Sequence, residues 1–392
     1  MQPAKTKTSE FLGYRRPDGR VGIRNHVLVL STGGLTAPTA RRIGAAIAGA
    51  VTVALPYGVG LIGRDQDVHG AAMLGLATHP NVGAVLLIGD NPTRMAELER
   101  EVAAVGKPHA AFTLDDCGHD ALTLTDRGLR AGARLARDIS GQRREPLPLS
   151  SLTIGLECGR SDPSSGLVAN PLLGRICDQL VDAGGTAIIG ETMEWLGAEH
   201  LLARRARSPK VAEAVIAAVM AREAAAVAAG IDLTGNNPNP TNVAAGLSSI
   251  EEKSLGNIAK SGQRPIEGVI GYGEAPPGKG LWVMDAPAYA PESVTGFVTA
   301  GAQLILFTTG VGNSYVSAIA PTLKLSANPV ACAGLGQQLD FDASAVFEGR
   351  LQIAVAAERL LEVLLGIASG QSTWGEVLKE GDEVVSRFGA AL

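Results

Sequence analysis

The stretch Leu156-Glu157-Cys158-Gly159-Arg160-Ser161-Asp162-Pro163-Ser164-Ser165-Gly166-Leu167-Val168-Ala169-Asn170-Pro171 sits where two periodicities meet. Before it, Leu152, Ile154 and Leu156 alternate with smaller residues, which predicts a strand. After it, residues 172–183 carry apolar side chains at helical spacing. A polar, glycine-bearing loop between a strand and a helix lies on the edge where open α/β sheets bind ligands. This loop offers a thiol (Cys158), a guanidinium (Arg160), a carboxylate (Asp162), hydroxyls (Ser161, Ser164, Ser165) and an amide (Asn170). The plainer reading is a capped strand–helix turn, because Ser, Asp, Asn and Gly favour caps and turns.

The same alternation extends in both directions. Strands are predicted over 27–30, 51–55, 82–88 and 109–114, each ending in a Gly- or Asp-bearing loop, with helices over 37–50, 68–78 and 92–105 between them. After the stretch come strands at 186–189, 281–284, 303–307 and 322–325, and helices at 208–229, 248–260 and 351–367. Residues 234–247, rich in Asn, Pro and Gly, read as irregular. Short apolar strands alternating with helices predict parallel, right-handed sheets covered on both faces. The Arg/Pro/Glu/Ser-rich segment 140–151 breaks the pattern. The expected organisation is therefore a first α/β domain over 11–139, a linker over 140–151 and a second α/β domain over 152–392. Each domain has a mainly parallel sheet flanked by helices, and the site lies in the cleft between them. Residues 1–10 read as a loose tail.

Composition narrows the function. The 392 residues are 46% hydrophobic but only 4% aromatic, with 49 glycines, as close-packed α/β layers require. A net charge of −5 without a basic stripe argues against a nucleic-acid partner. Four cysteines at irregular spacing form neither a CxxC pair nor a disulfide framework, which points to a reducing cytoplasm. The N-terminus lacks the apolar core of a signal peptide, and no uninterrupted apolar run of about 20 residues predicts a membrane span.

Several motifs together resemble the altronate dehydratase/galactarate dehydratase family, which includes the large subunit of sulfolactate sulfo-lyase. They are Gly13-Tyr14-Arg15-Arg16-Pro17-Asp18-Gly19-Arg20-Val21-Gly22-Ile23-Arg24-Asn25, Glu157-Cys158-Gly159-Arg160-Ser161-Asp162 with Ala169-Asn170-Pro171, and Glu191 followed by Glu199-His200-Leu201-Leu202. Asn237-Pro238-Asn239-Pro240, Glu252-Lys253-Ser254-Leu255-Gly256 and Phe307-Thr308-Thr309-Gly310 complete the set, so the resemblance runs from Phe11 to about Gly370. It implies a divalent-metal-dependent lyase, iron in relatives, eliminating water or sulfite from a small acidic hydroxy acid or sugar acid. Such chemistry needs a base for the proton beside the carboxylate, positive charge for the developing enolate, and help for a poor leaving group.

On that resemblance Cys158, Glu191 and His200 are the catalytic candidates. Arg160, Ser161, Asp162, Asn170, Asn242, Lys253, Thr308, Thr309, Gly310 and Lys324 are the substrate-binding candidates. Asp116 and His119, flanking Cys117, are the remaining metal candidates. The chain also departs from the family pattern. Members place His and Cys in the loops after the first two strands, where this chain has Leu35, Leu55 and Val59, and Gly-Cys-Glu after the third, where it has Asp90-Asn91-Pro92-Thr93. Val311 and Val243 replace an Arg and a Lys, and Arg160 alters a glycine pair. Those first-domain loops are expected to face the second domain. With apolar residues in them the expectation is a weak or absent metal, and a substrate less polar than a sugar diacid. Two other readings stay open: a hydrolase using Cys158 or an activated water, and a non-catalytic ligand-binding subunit. On the resemblance this chain is expected to lack the family's small N-terminal domain; the expected assembly is a homodimer, with a separate small subunit as a further partner that the resemblance implies.

Overall fold

The computed structural model describes residues 10–58, 60–233, 237–387 and 389. Val59, the tail 1–9 and residues 234–236 lie outside the described residues.

The first unit is built on β3 (His26–Ser31), β4 (Ala50–Ala54), β5 (Val82–Gly89) and β6 (His109–Thr113), preceded by β1 (Glu10–Arg15) and β2 (Val21–Gly22). The four strands are parallel in the order β4-β3-β5-β6. β5 is buried along its whole length, as a strand covered on both faces must be. The helix Ala121–Ser140, which the strand–helix reading passed over, covers one face with Leu124, Ala131, Leu135 and Ile139.

The segment read as a linker holds β7 (Glu145–Pro148), which pairs antiparallel with β1 while β2 pairs on β1's other side. Arg144 ties this small sheet down by donating to the carbonyls of Leu12 (2.7 Å) and Ile23 (2.9 Å). Phe11, Val21, Ile23 and Leu147 share one core with the second unit.

The second unit carries β8 (Thr153–Gly159), β9 (Thr186–Ile189), β10 (Ile266–Ile270), β11 (Gly280–Met284), β12 (Leu304–Thr309), β13 (Thr322–Ser326) and β14 (Phe341–Asp342). All are parallel, in the order β10-β11-β9-β8-β12-β13-β14. The chain leaves β8 towards β9 on one side and later fills β12 to β14 on the other. β8 is therefore the topological switch point, whose C-terminal end is the binding edge of such a sheet.

The helix Ala290–Thr299, unforeseen in the sequence, is buried almost throughout. Its Val294, Phe297 and Val298 share a core with Leu28, Leu30, Ala72 and Met73 of the first unit, so the two units pack through one apolar layer. The segment read as irregular contains a short helix, Pro240–Ala244, started by Asn239 in a capping box with Asn242.

Candidate active site

β8 extends further than its alternation suggested, through Gly159, and helical backbone resumes at residue 163. The polar loop shrinks to residues 160–162, and a π-helical turn, Ser165–Ala169, leads into the helix Asn170–Asp182. Cys158 thus sits on the end of the central strand.

From the neighbouring strand β9 the chain turns through Glu191, held in the left-handed region at φ 68°, into a 3-10 turn Thr192–Trp195 that carries Glu194. A non-glycine residue in that region is strained, and such strain concentrates at functional sites. The opposite wall is the helix Ile250–Ile258, started by Ser249, whose side chain accepts from the Glu252 amide (3.2 Å). Lys253 and Asn257 lie at i and i+4 on one face of it, and the 3-10 turn Ala259–Ser261 that continues it carries Lys260.

These elements interleave acids and bases in the interior. Lys260 Nζ is paired with Glu191 Oε2 and donates to Cys158 Sγ (3.4 Å). Asn257 Nδ2 donates to Cys158 Sγ (3.2 Å) and to Glu194 Oε2 (2.9 Å), and its own Oδ1 accepts from Trp195 Nε1 (3.1 Å). Lys253 Nζ pairs with Glu194 Oε1 (2.6 Å) and donates to Asn237 Oδ1 (2.7 Å). Cys158 Sγ lies 3.6 Å from Glu191 Oε1 and 3.9 Å from Glu194 Oε2. Behind them, Ser293 donates to Glu157 Oε2 (2.7 Å).

The electrostatics follow from burial. Glu157 is pushed well above the ordinary carboxylate range by burial and then by the charge of Glu191. Burial also raises Glu191, with the Lys260 ammonium pulling the other way. Burial works against the ammonium of Lys260, but the negative charge of Glu191 beside it holds it over the usual lysine range. Lys253 behaves likewise, burial opposing it and Glu194 more than compensating. Burial, then Glu191, pushes the Cys158 thiol up, so it is a thiol and not a thiolate at neutral pH.

A cavity of about 260 Å³ opens onto this cluster. It is lined by the polar Cys158, Glu194, Lys253 and Asn257, by Ser161, Asp162 and Asn170, and by the apolar Pro163, Leu167, Leu247 and Leu255. Its lining falls between Cys158 and Asn257, within the second unit, and not between the two units as expected. The loops after β4 and β5 line a different groove, of about 540 Å³, with Gly58, Gln66, Asn91 and Arg94. Leu35 is exposed and Leu55 is buried.

Other candidates brace this architecture. Asp162 Oδ1 accepts from the hydroxyls of Ser164 (2.7 Å) and Ser165 (3.0 Å), and its Oδ2 accepts from Asn328 (2.7 Å). Asn170 donates to the Gly256 carbonyl (2.8 Å) and accepts from Thr308 Oγ1 (2.6 Å), joining β12 to the cavity's helix. Asn242 donates to the Ser161 carbonyl (2.9 Å), and Thr309 Oγ1 accepts from the Gly312 amide (3.1 Å). A Cβ on Gly310 would lie 2.5 Å from Asp162 Cγ, so this close approach needs glycine.

The remaining candidates stand apart. Arg160 and His200 are exposed and do not line the cavity. Lys324, the middle residue of β13, is buried and bonded to the Asn313 carbonyl, and burial lowers it to about 8. Asp116 caps its own turn by accepting from Thr113, and His119 faces Asp115 at the surface (3.2 Å). The sequence reading missed Glu157, Glu194, Asn257 and Lys260. The i, i+4 spacing from Lys253 was the signal for Asn257.

The C-terminal domain of D-galactarate/altronate dehydratase matches residues 149–391, and the second domain of D-galactarate dehydratase/altronate hydrolase matches residues 13–140. The chain belongs to the galactarate/altronate dehydratase family. It is an enzyme of that family, a lyase. The (2R)-sulfolactate sulfo-lyase subunit beta of Chromohalobacter salexigens is 37% identical over 386 residues, covering 97% of this chain and 98% of that protein. Altronate dehydratase of Bacillus subtilis is 31% identical, covering 94% and 76%, and that of Escherichia coli 30% identical, covering 95% and 77%.

Family resemblance implies a metal, and the donor atoms of Cys158, Glu191 and Glu194 lie within 4.8 Å of one another, a spacing that could hold an ion. The charges do not fit a resident divalent ion. Glu191 and Glu194 are already balanced by Lys260 and Lys253. An ion bonded to Glu191 at about 2.1 Å would stand within ~5 Å of the Lys260 ammonium. At an effective dielectric of ~20 that repulsion is ~7 kcal/mol.

Proposed function

We propose that this chain is a carbon–oxygen lyase acting on a small hydroxy acid, with its reacting centre at the end of β8. The observation that carries the reading is the pair Lys253–Glu194 lining a small cavity, backed by a buried, charge-balanced cluster.

In this reading the Lys253 ammonium holds the substrate carboxylate and takes up the negative charge that develops on it. Glu194 removes the proton from the carbon beside that carboxylate. The electron pair forms a carbon–carbon double bond as the β substituent leaves, a hydroxyl departing as water with the proton that Glu194 took up, and the resulting enol tautomerises to a 2-oxo acid. The Cys158 thiol, kept protonated by burial, can donate a hydrogen bond to the leaving oxygen. The same state argues against Cys158 as the nucleophile of a hydrolase. The apolar lining of Pro163, Leu167, Leu247 and Leu255 suits a compact acid better than a fully hydroxylated diacid.

The relatives are named for sulfolactate, altronate and galactarate. A panel of these acids and shorter 2,3-dihydroxy acids, assayed for 2-oxo acid, tests the reading. Turnover of at least one is expected, and a folded protein that releases no 2-oxo acid from any of them would count against it.

We further propose a division into domains 11–139 and 152–392 joined through 140–151, supported by family matches that end at 140 and resume at 149. Four free cysteines support a reducing, cytoplasmic setting, and no helix among the described residues is long and apolar enough to cross a membrane. The relative named as a subunit beta supports a separate small partner subunit. For the chain itself a homodimer is proposed, as twofold assemblies are the commonest.

A further inference from the structure

Each donor atom that would ligate an ion in this centre already receives a side-chain hydrogen bond. Glu194 is occupied on both oxygens, by Lys253 and Asn257, and Glu191 Oε2 by Lys260. Cys158 Sγ accepts from Asn257 and Lys260 together. Lys260 is fully buried, does not line the cavity, and so cannot swing into water to make room. It projects from the turn Ala259–Ser261, which is itself locked by Arg205 donating to both the hydroxyl (2.8 Å) and the carbonyl (2.9 Å) of Ser261.

We propose that the ammonium of Lys260 is the resident cation of this centre and excludes a divalent metal ion from the Cys158–Glu191–Glu194 set. A buried ammonium bonded to a thiol and a carboxylate supplies the positive charge that an ion would bring, in a fixed place. Removing that charge without shortening the side chain leaves the Glu191 carboxylate without its counter-charge beside the Cys158 sulfur, two donor atoms open to an ion. The inference concerns binding alone. It stands or falls independently of which acid is turned over, or whether any is.

The test is an anaerobic cobalt(II) titration read by the thiolate-to-cobalt charge-transfer band, on the wild type, on Lys260→Met, and on Lys260→Met with Cys158→Ser. The wild type should show no such band at a molar excess of cobalt. Lys260→Met should show one that saturates at one cobalt per chain, with binding tighter by ~100-fold, and the added Cys158→Ser should abolish it. A band in the wild type at stoichiometric cobalt would overturn the proposal, as would a folded Lys260→Met that binds no better than wild type. Should circular dichroism show Lys260→Met unfolded, Lys260→Gln replaces it, and the wild-type titration still decides.

Discussion

Lys253 and Glu194 divide the proposed chemistry between a fixed positive charge and a base, and their substitutions should separate. Lys253→Gln keeps a hydrogen-bond donor but loses the charge, and should raise KM and lower kcat together, by ~100-fold or more in kcat/KM. Unchanged kcat/KM in that variant would remove Lys253 from the site. Asn257 bridges Cys158 and Glu194, so Asn257→Ala should unseat both acceptors and cost activity without any role of its own in proton transfer. At this scale the motifs named Cys158, Glu191 and Lys253, which the fold brings into one cluster, but also Arg160 and His200, which it leaves exposed outside the cavity. The sequence was opaque for Glu194 and Lys260, because only the fold carries a residue after β9 and one after a distant helix to the same point. Asp162 and Asn170 were legible as important but not as braces. A motif shows that a residue matters, and its hydrogen bonds show that it holds backbone in place.

The central strand and the helix against it depend on one close approach. A Cβ on Gly155 of β8 would stand 2.7 Å from Phe297 and 2.8 Å from Ile305. Gly155→Ala should therefore cost ~1–3 kcal/mol in urea unfolding, by overpacking. No loss of stability would mean that the helix Ala290–Thr299 packs more loosely than described. That helix escaped the sequence reading because Val, Thr and Phe dominate it and no polar face marks a period. The opposite holds for Ala121–Ser140, whose Asp120 cap and apolar spacing are both legible in the sequence. β7 was hidden because its prolines argue against a strand, and it escapes the objection by lying at the edge of a small sheet.

Across the whole molecule, the end of the chain returns to the first unit. Glu383 is buried, accepting from Thr295 Oγ1 (2.8 Å), Ser317 Oγ (2.5 Å) and the Ala318 amide (3.1 Å). Gly389 then donates to Asp65 (2.7 Å), and Arg387 lies over the ring of Tyr57. Burial raises Glu383 to about 7, against the pull of those hydrogen bonds. Its folded pKa lies above its unfolded value, so it contributes stability that is full below about 4.5 and lost as pH rises through about 7. The stability of wild type relative to Glu383→Gln should fall by about 3 kcal/mol between those limits. A difference independent of pH would contradict the burial described. The proposal that the Lys260 ammonium takes the place of an ion predicts substoichiometric iron after anaerobic purification and activity unmoved by chelators. One tightly held iron or zinc per chain, with activity lost on chelation, would oppose it.

The account rests on elimination begun by Glu194. The most direct measurement is the rate of 2-oxo acid formation by Glu194→Gln, with folding verified, on whichever acid the wild type turns over. The rate should drop by at least ~100-fold, as expected for loss of a positioned base, while the variant still binds the acid. A Glu194→Gln enzyme that forms the 2-oxo acid at nearly the wild-type rate would contradict the account.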